Sequence, residues 1–288
     1  MTNRAGKMDF TVLMCVYQGD NLEHFKRALT SCATDQTVHA TEVLIVQNGP
    51  VSVNIETYLT EAQAADSSIK VLQLAENHGL AHALNIGMKE ISTEWIARMD
   101  ADDICLPERF AQQVAYLEQH PQVDALGTAL QEFTEPELGR IVWGERRVLP
   151  SSHTGLDQYA RLQSPLHHPT VMLRKSAVLR AGGYPEDSGR FEDYLLWARM
   201  LMHGSTFANL PEVLLGYRVD SGAYNRRGGW EMFRSEFALQ RTFLREGFTT
   251  HTQFFRNIAV RGVYRLIPTW IKKPLYRLRT AVKNKSVQ

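Results

Sequence analysis

Short apolar segments alternate along the first hundred residues with amphipathic ones. The apolar segments cover residues 10–16, 43–46, 69–74 and 95–99. Each is bounded by polar residues or glycine, as strands are. Between them, residues 22–33 and 80–91 carry apolar side chains at helical spacing. Strands that alternate with helices are typical of βαβ units, so we expect an α/β fold with a parallel sheet.

The pattern becomes less regular in the second half of the chain. Pro107 predicts the start of a helix that ends at Pro121. Further strands are predicted over residues 124–133, 140–148 and 170–174, and a helix over residues 191–203. Helices are then predicted over residues 230–246 and 253–266, and from about residue 274. We therefore expect a catalytic domain over residues 1–228 and a helical region over residues 229–288.

Charge is distributed unevenly along the chain. The 288 residues, 44% of them hydrophobic, can bury a full core and have a formal net charge of +1. Residues 247–288, however, hold nine Lys or Arg and no Asp or Glu, which leaves 23 basic and 31 acidic residues elsewhere, a charge of −8. An acidic body with a basic tail suggests an anionic surface as partner, and nothing else in the sequence suggests nucleic acid.

The predicted last helix is amphipathic. Leu275, Leu278 and Val282 share one face, and the other faces carry cations. The cations are Arg277, Arg279, Lys283 and Lys285. Apolar residues also precede this helix, namely Phe254, Phe255, Ile258, Tyr264, Trp270 and Ile271. This composition predicts a helix that lies in a membrane interface, although the apolar face could instead pack on the catalytic body.

Other features of the sequence suggest where the protein works. No segment reaches membrane-spanning length, and no signal peptide is apparent at the N-terminus. Cys15, Cys32 and Cys105 are odd in number and not in metal-ligand spacing, which favours a reducing compartment. We therefore expect a cytoplasmic protein that is peripheral at the inner face of the inner membrane.

Acidic residues cluster directly after the fourth predicted strand. Asp100, Asp102 and Asp103 precede a helix start at residues 106–107. In a strand, Asp100 and Asp102 would share a face, and their oxygens would suit Mg²⁺ or Mn²⁺ bound to a diphosphate. The alternative is that one aspartate merely caps the following helix. The cluster alone would also fit a two-metal phosphatase or nuclease.

Four motifs in order give the chain a family resemblance. They are residues 12–17, the Asn-rich segment 77–87, the aspartate cluster, and Gly182-Gly183-Tyr184 followed by Glu192-Asp193. As a set, over about residues 8–220, they resemble family 2 glycosyltransferases. The resemblance implies a GT-A fold, in which two abutting Rossmann-like halves surround one mixed, mostly parallel sheet that binds a nucleotide sugar. His168-Pro169 makes the likeness greatest to enzymes that build O antigen, capsule and exopolysaccharide units.

The resemblance also implies roles for individual residues at the donor site. Asp102 would hold Mn²⁺ or Mg²⁺ against the donor diphosphate, and Asp100 would contact the donor's ribose or base. Tyr17 and Asp20 would flank the nucleotide. Asp193 would be the catalytic base that takes a proton from the acceptor, although an acidic residue in a first helical turn can serve only the helix dipole.

Two further groups complete the predicted site. Gln47 and Asn48 stand where most of the family has two aspartates, the first of which reads uracil. An amide offers both a donor and an acceptor and can still bond a base edge, so UDP stays the expected nucleotide. The predicted acceptor-side residues are Glu192, His168, Gly183 and Tyr184.

The sequence thus predicts an inverting transferase that moves one sugar, a hexose from UDP, to a glycan on a polyprenyl diphosphate carrier. One alternative is a sugar-phosphate nucleotidyltransferase, but that class needs a Gly-rich phosphate loop near the first strand, and residues 16–20 lack it. Another alternative is a catalytically silent nucleotide-sugar-binding module.

Overall fold

The computed structural model describes residues 2–3, 7–219 and 229–262. The chain divides into two compact units at residue 219, and each is described by itself. The predicted helix from about residue 274, with the rest of the basic tail beyond residue 262, lies outside the described residues.

The first unit contains a large mixed sheet. Two short strands, β1 (Thr2–Asn3) and β2 (Lys7–Met8), pair separately. The large sheet contains β3 (Phe10–Val16), β4 (Glu42–Asn48), β5 (Ile69–Leu74), β6 (Trp95–Met99), β7 (Ile104–Cys105), β8 (Ala125–Glu137), β9 (Arg140–Arg147), β10 (Met172–Arg174) and β11 (Phe207–Arg218). Their order is β5-β4-β3-β6-β10-β8-β11-β7, with β9 paired to β8. Only β10, β9 and β7 pair antiparallel to their neighbours, so the predicted mixed, mostly parallel sheet is confirmed.

Helices cover both faces of this sheet. One layer contains α1 (Leu22–Cys32), α2 (Val53–Ala65) and α4 (Arg109–Gln119). The other contains α3 (Leu80–Glu90), α5 (His153–Ala160), α6 (Lys175–Arg180) and α7 (Glu192–Met202). Along β3, Val12 and Met14 face the first layer and Leu13 faces the second. A strand buried on both faces needs apolar residues at every position, which explains the continuous apolar segments of the sequence.

The strand order contains a switch point beside β3, where a cleft is expected. From β3 the chain proceeds to β4 and β5 on one side and then crosses to β6 on the other. Ligands of open α/β sheets bind at such a switch point, outside the carboxyl ends of the strands. The ends of β3 and β6 lead into Tyr17 and Asp100, respectively.

Some local predictions differ from the structure. Because β6 ends at Met99, Asp100 lies just beyond the strand and Asp102 in the turn that follows, so strand alternation does not explain their arrangement. The polar residues Gln47 and Asn48 belong to β4 instead of following it. The predicted strand at 170–174 begins as a 3-10 turn, His168–Thr170. The sequence analysis missed β11, whose apolar pattern is interrupted by Pro211 and by shifts of register against β8.

The described part of the second unit is helical. It contains α8 (Trp230–Arg245), α9 (His251–Asn257) and a π-helical turn, Ile258–Gly262. A capping box between Thr250 and Gln253 starts α9 earlier than predicted. In the described ranges of both units, no helix has the length and apolar character needed to cross a bilayer.

Replacement of Gly87 by leucine tests the packing of α3 on the sheet. A Cβ atom there would lie 2.8 Å from both Leu13 Cδ1 and Val46 Cγ2. We expect Gly87→Leu to lower the free energy of unfolding by about 1–3 kcal/mol in urea denaturation, because the interface has no room for the side chain. Ala64→Leu, on the exposed face of α2, is the control. Equal stability of the two variants would contradict the packing described.

Candidate active site

The turn after β3 places Asp20 at the cleft. Asp20 Oδ2 accepts a hydrogen bond from the Tyr17 N–H at 2.9 Å, and Asn21 caps α1 directly afterwards. Burial, together with the charge of Asp100, raises the pKa of Asp20 to about 6 despite that hydrogen bond. Tyr17 is 47% exposed, so its ring is free to contact a ligand.

A buried arginine lies beneath the acidic cluster. Arg98, in β6, is 1% exposed and pairs with Asp100 while donating to the Met99 carbonyl. A buried guanidinium needs such a partner, because an uncompensated charge in the interior is very unfavourable. The sequence analysis missed Arg98, although an arginine inside an otherwise apolar strand was the available signal.

The turn after Asp100 holds two further carboxylates in different environments. Asp102 is partly exposed at the surface, but neighbouring groups exclude much of the water from around its carboxyl group. This desolvation, together with the charges of Asp100 and Asp20, raises the pKa of Asp102 to about 7. Asp103 is buried, and one of its oxygens has no hydrogen-bond partner. The alternative that an aspartate caps the next helix is wrong, because the N-cap of α4 is Glu108, whose side chain accepts no hydrogen bond from the first turn of the helix.

Arg218, the last residue of β11, fixes this turn from the side. Its backbone N–H donates to Asp103 Oδ1 and its Nε to the Asp102 carbonyl, each at 2.8 Å. Its Nη1 donates to Glu135 Oε2 at 2.8 Å, and Arg27 donates to the other oxygen of Glu135 at 2.6 Å. Nothing local in the sequence pairs residues more than a hundred positions apart, so this contact was not predictable.

The end of β4 presents two amide oxygens. Gln47 Nε2 donates to the Gly49 carbonyl at 3.3 Å, and Asn48 Nδ2 donates to Asn77 Oδ1 at 3.1 Å. The Gly79 N–H also donates to Asn77 Oδ1, which fixes the orientation of both asparagine amides. Gln47 Oε1 and Asn48 Oδ1 are therefore left buried without a partner, and buried acceptors of this kind are suited to ligand N–H or O–H groups.

The predicted acceptor-side residues Gly183 and Tyr184 are held against α3 by Asn85. Asn85 Oδ1 accepts from the Tyr184 N–H and its Nδ2 donates to the Tyr184 carbonyl, both at 2.8 Å. Gly183 has φ +76°, and a Cβ there would lie 2.8 Å from Asn85 Oδ1, so the close approach requires glycine. The Tyr184 hydroxyl bonds His168 Nε2 at 2.9 Å. Burial and the charge of Arg98 keep the pKa of His168 well below its usual value, so its ring is neutral.

The first turn of α7 carries the predicted base. Asp193 Oδ1 accepts from the Tyr194 N–H at 2.7 Å. Burial, followed by the charge of Glu192 and with a contribution from Asp100, raises the pKa of Asp193 to about 7. Burial likewise raises the pKa of Glu192. The rest of α7 is largely buried, and the Tyr194 hydroxyl donates to the Ala160 carbonyl, so Asp193 stands on a rigid element.

The cleft therefore collects carboxylates from three segments. Asp100 interacts electrostatically with Asp20, Asp102, Glu192 and Asp193. These groups come from the ends of β3 and β6 and from the start of α7, so the predicted metal ligand and the predicted base share one site. Their roles stay predictions.

The residues at this site fit a divalent cation in part. Asp102 offers hard carboxylate oxygens in a surplus of negative charge, which a cation would relieve. Within residues 2–3, 7–219 and 229–262, no group of three or more His, Cys, Asp or Glu side chains is arranged to hold a metal.

Glu135→Gln tests the ion pairs that hold the aspartate turn. The Glu135 side chain is 2% exposed and that of Arg218 is 7% exposed. Removal of the carboxylate charge would leave Arg218 buried without its counterion, and we expect the free energy of unfolding to fall by roughly 3 kcal/mol. Glu137→Gln, which removes an exposed pair with Arg140, is the control and should change little.

The stabilisation that Glu135 contributes should depend on pH. Burial alone would raise the pKa of Glu135, but hydrogen bonds from Arg218, the Gly139 N–H and Arg27 outweigh it and lower the pKa from 4.5 to about 2. The stabilisation is therefore complete above pH 4.5 and lost as the pH falls toward 2. In unfolding curves of Glu135→Gln across this pH range, the free energy of unfolding should lack the pH-dependent contribution of Glu135. A pH dependence equal to that of the wild type would contradict this assignment.

Comparison with known proteins identifies the family of this chain. Glycosyl transferase family 2 matches residues 11–182. The chain is 37% identical over 270 residues to the amylovoran biosynthesis glycosyltransferase AmsE of Erwinia amylovora, covering 93% of this chain and 97% of that protein. It is 31% identical over 268 residues to the UDP-Gal:alpha-D-GlcNAc-diphosphoundecaprenol beta-1,3-galactosyltransferase of Escherichia coli, covering 93% and 95%.

Solved structures agree on the fold. S. aureus TarS in complex with UDP-GlcNAc superposes with a TM-score of 0.60 at 18% identity, covering 82% of this chain and 67% of that one. The mannosyltransferase PcManGT of Pyrobaculum calidifontis, in complex with GDP-Man and Mn²⁺, superposes with a TM-score of 0.62 at 16% identity, covering 91% and 71%. The sequence matches and the fold together establish that the chain belongs to glycosyl transferase family 2 and has a GT-A fold.

Proposed function

We propose that this glycosyltransferase moves a single sugar, with inversion, from a nucleotide diphosphate sugar to a lipid-linked glycan in bacterial surface polysaccharide synthesis. The observation that carries the proposal is the shared cleft, in which Asp100 couples electrostatically to both Asp102 and Asp193. A transferase needs both groups close together, because the leaving diphosphate and the attacking hydroxyl meet at one carbon atom.

The donor is proposed to be a UDP-hexose. Asp20 and Asp100 at the switch point, with Tyr17 beside them, would contact the nucleoside, and the unpartnered oxygens of Gln47 and Asn48 would accept from the base. The name of the Escherichia coli relative specifies UDP-Gal, and TarS binds UDP-GlcNAc. PcManGT holds GDP-Man instead, so the nucleotide is part of the test below.

Asp102 is proposed to ligate Mn²⁺ or Mg²⁺ together with the donor diphosphate. Bound there, the ion would supply positive charge opposite the diphosphate as the bond to the sugar breaks. PcManGT binds Mn²⁺, and the surplus of carboxylates around Asp102 suits such an ion. Arg218 and Asp103 would keep the turn in place.

Asp193 is proposed as the general base. The acceptor oxygen forms a bond to the anomeric carbon as the bond from that carbon to the diphosphate oxygen breaks, and the hydroxyl proton passes to Asp193. Attack from the face opposite the leaving group inverts the anomeric centre. A carboxylate with a pKa of about 7 accepts a proton more readily than an ordinary one, which suits an alcohol nucleophile.

The acceptor is proposed to be a glycan on a polyprenyl diphosphate, bound beside Glu192, His168, Gly183 and Tyr184. The Escherichia coli relative is named for GlcNAc-diphosphoundecaprenol, and AmsE for amylovoran biosynthesis. We propose that residues 1–228 form the catalytic domain. Residues 229–288 would hold the enzyme at the cytoplasmic face of the inner membrane, where such an acceptor is found.

A donor panel tests the reaction. Purified protein is incubated with UDP- and GDP-sugars, a polyprenyl-diphosphate-GlcNAc acceptor and Mn²⁺ or Mg²⁺. We expect release of a nucleoside diphosphate with one UDP-hexose, and loss of this activity when EDTA removes the metal. Pyrophosphate release would instead indicate a nucleotidyltransferase, and donor binding without turnover in every combination would indicate a silent binding module.

Asp193→Asn tests the base. We expect kcat to fall about 100- to 10,000-fold while the affinity for the active donor is kept, because the amide cannot take the acceptor proton. In the wild type, kcat/KM should rise with pH up to about 7 and then level off, since only the carboxylate form is active. Asp35→Asn, an exposed aspartate after α1, is the control. Wild-type turnover in Asp193→Asn would rule out this role.

A further inference from the structure

Five aromatic rings form an unbroken series on the outside of the helical unit. Trp230 contacts Phe233 with ring centroids 5.1 Å apart, and Phe233 contacts Phe237 at 6.5 Å. The series passes to α9 through Phe254, 6.0 Å from Phe237, and ends at Phe255, 5.4 Å further. We call these five residues the aromatic ladder.

Three of the five rings of the aromatic ladder are exposed, and the other two, Phe233 and Phe254, are half-buried. Trp230 is 63% exposed, Phe237 is 42% exposed and Phe255 is 68% exposed. The buried side of α8 carries other residues, among them Leu239 and Phe243. An exposed apolar strip of this length is unusual on a soluble surface and marks a contact site.

Arginines run along the ladder on the same helix. Arg234, Arg241 and Arg245 are exposed and are spaced seven and four residues apart, so they line one face of α8. Arg234 follows Trp230 by four residues, and Arg241 follows Phe237 by four, which makes them neighbours on the helix surface. None of the three has an acidic partner among the described residues. We call them the arginine row.

The remaining charges of α8 do not neutralise this row. Glu236 is buried and accepts two hydrogen bonds from Arg261, at 2.7 and 2.9 Å. Glu231 is the exposed acidic residue of the helix, against three exposed arginines. The surface is therefore both aromatic and cationic.

We infer that the aromatic ladder and the arginine row bind an anionic phospholipid surface. Aromatic rings settle at the level of lipid headgroups, where one side is apolar and the other wet. Guanidinium groups beside them would bond the headgroup phosphates. A neutral protein partner would leave the arginines without counterions. An anionic bilayer would supply counterions to the arginine row and an apolar region to the aromatic ladder.

This inference deepens the proposed function, because a surface bound to lipid would bring the enzyme to a lipid-linked acceptor. It does not depend on the basic tail that follows, since the ladder and the row lie within residues 230–255. It also does not depend on the chemistry of the cleft, so vesicle binding and sugar transfer can be measured separately.

Vesicle sedimentation of the full-length protein tests the inference. The vesicles are phosphatidylcholine alone, or equal parts of phosphatidylcholine and phosphatidylglycerol. We expect binding to the anionic vesicles only, weakened by added salt. Replacement of all three arginines of the row by glutamine should lower the partition coefficient on the order of 100-fold, at about 1 kcal/mol for each charge.

A variant that combines Trp230→Ser, Phe237→Ser and Phe255→Ser should bind the anionic vesicles more weakly by a similar factor, although the charges are kept. Because all three side chains are exposed, the fold should survive, and circular dichroism checks it. The matched controls are Leu138→Ser, 69% exposed, and Arg140→Gln, also exposed, both in the first unit. Neither control should alter binding.

The outcomes distinguish vesicle binding by the aromatic ladder and the arginine row from binding by the basic tail, and they distinguish vesicle binding from catalysis. The inference is wrong if both sets of variants bind anionic vesicles as the wild type does, or if replacement of Lys272, Lys273, Lys283 and Lys285 alone removes binding. It is equally wrong if the wild type binds phosphatidylcholine alone just as well. Sugar transfer to a water-soluble acceptor should be unchanged in the ladder variants. If the wild type transfers no sugar, the proposed function is contradicted but the vesicle result is not.

Discussion

The ion pair between the buried Arg98 and the half-buried Asp100 is the interaction on which the cleft depends. A guanidinium inside a parallel sheet is tolerated only with a fixed counterion, and Asp100 is that counterion. Further carboxylates then gather around Asp100 with little positive charge to balance them. The result is a site whose pKa values are raised toward neutrality, which suits it to proton transfer and to cations.

The scaffold keeps these mutually repelling groups in place by attaching each to a different element. Asp20 is held by the turn after β3, and Asp102 by the bonds that Arg218 makes to its turn. Asp193 is held by a helix that is buried along most of its length. Repulsion among carboxylates would otherwise spread them apart, so the surrounding packing and hydrogen bonds maintain the functional arrangement.

The two units use arginine in opposite ways. In the first unit, Arg98 and Arg218 are buried and each has an acidic partner, so they determine local structure. In the helical unit, the exposed arginines of α8 lie beside aromatic rings, and their charge is available for an external partner. The same side chain thus organises the cleft in one place and is proposed to form a recognition surface in the other.

Much of the architecture follows from the sequence alone. Strands that are buried on both faces need continuous apolar residues, so segments such as 10–16 identified the sheet, and the motifs of the sequence indicated the family. Local pattern carries no information on which distant residues meet, however. Tertiary structure decided that Arg218 reaches Asp103, that Asn85 holds Tyr184, and that β11 completes the sheet despite its interrupted pattern. Such contacts join residues about a hundred positions apart, and only the packed chain brings them together.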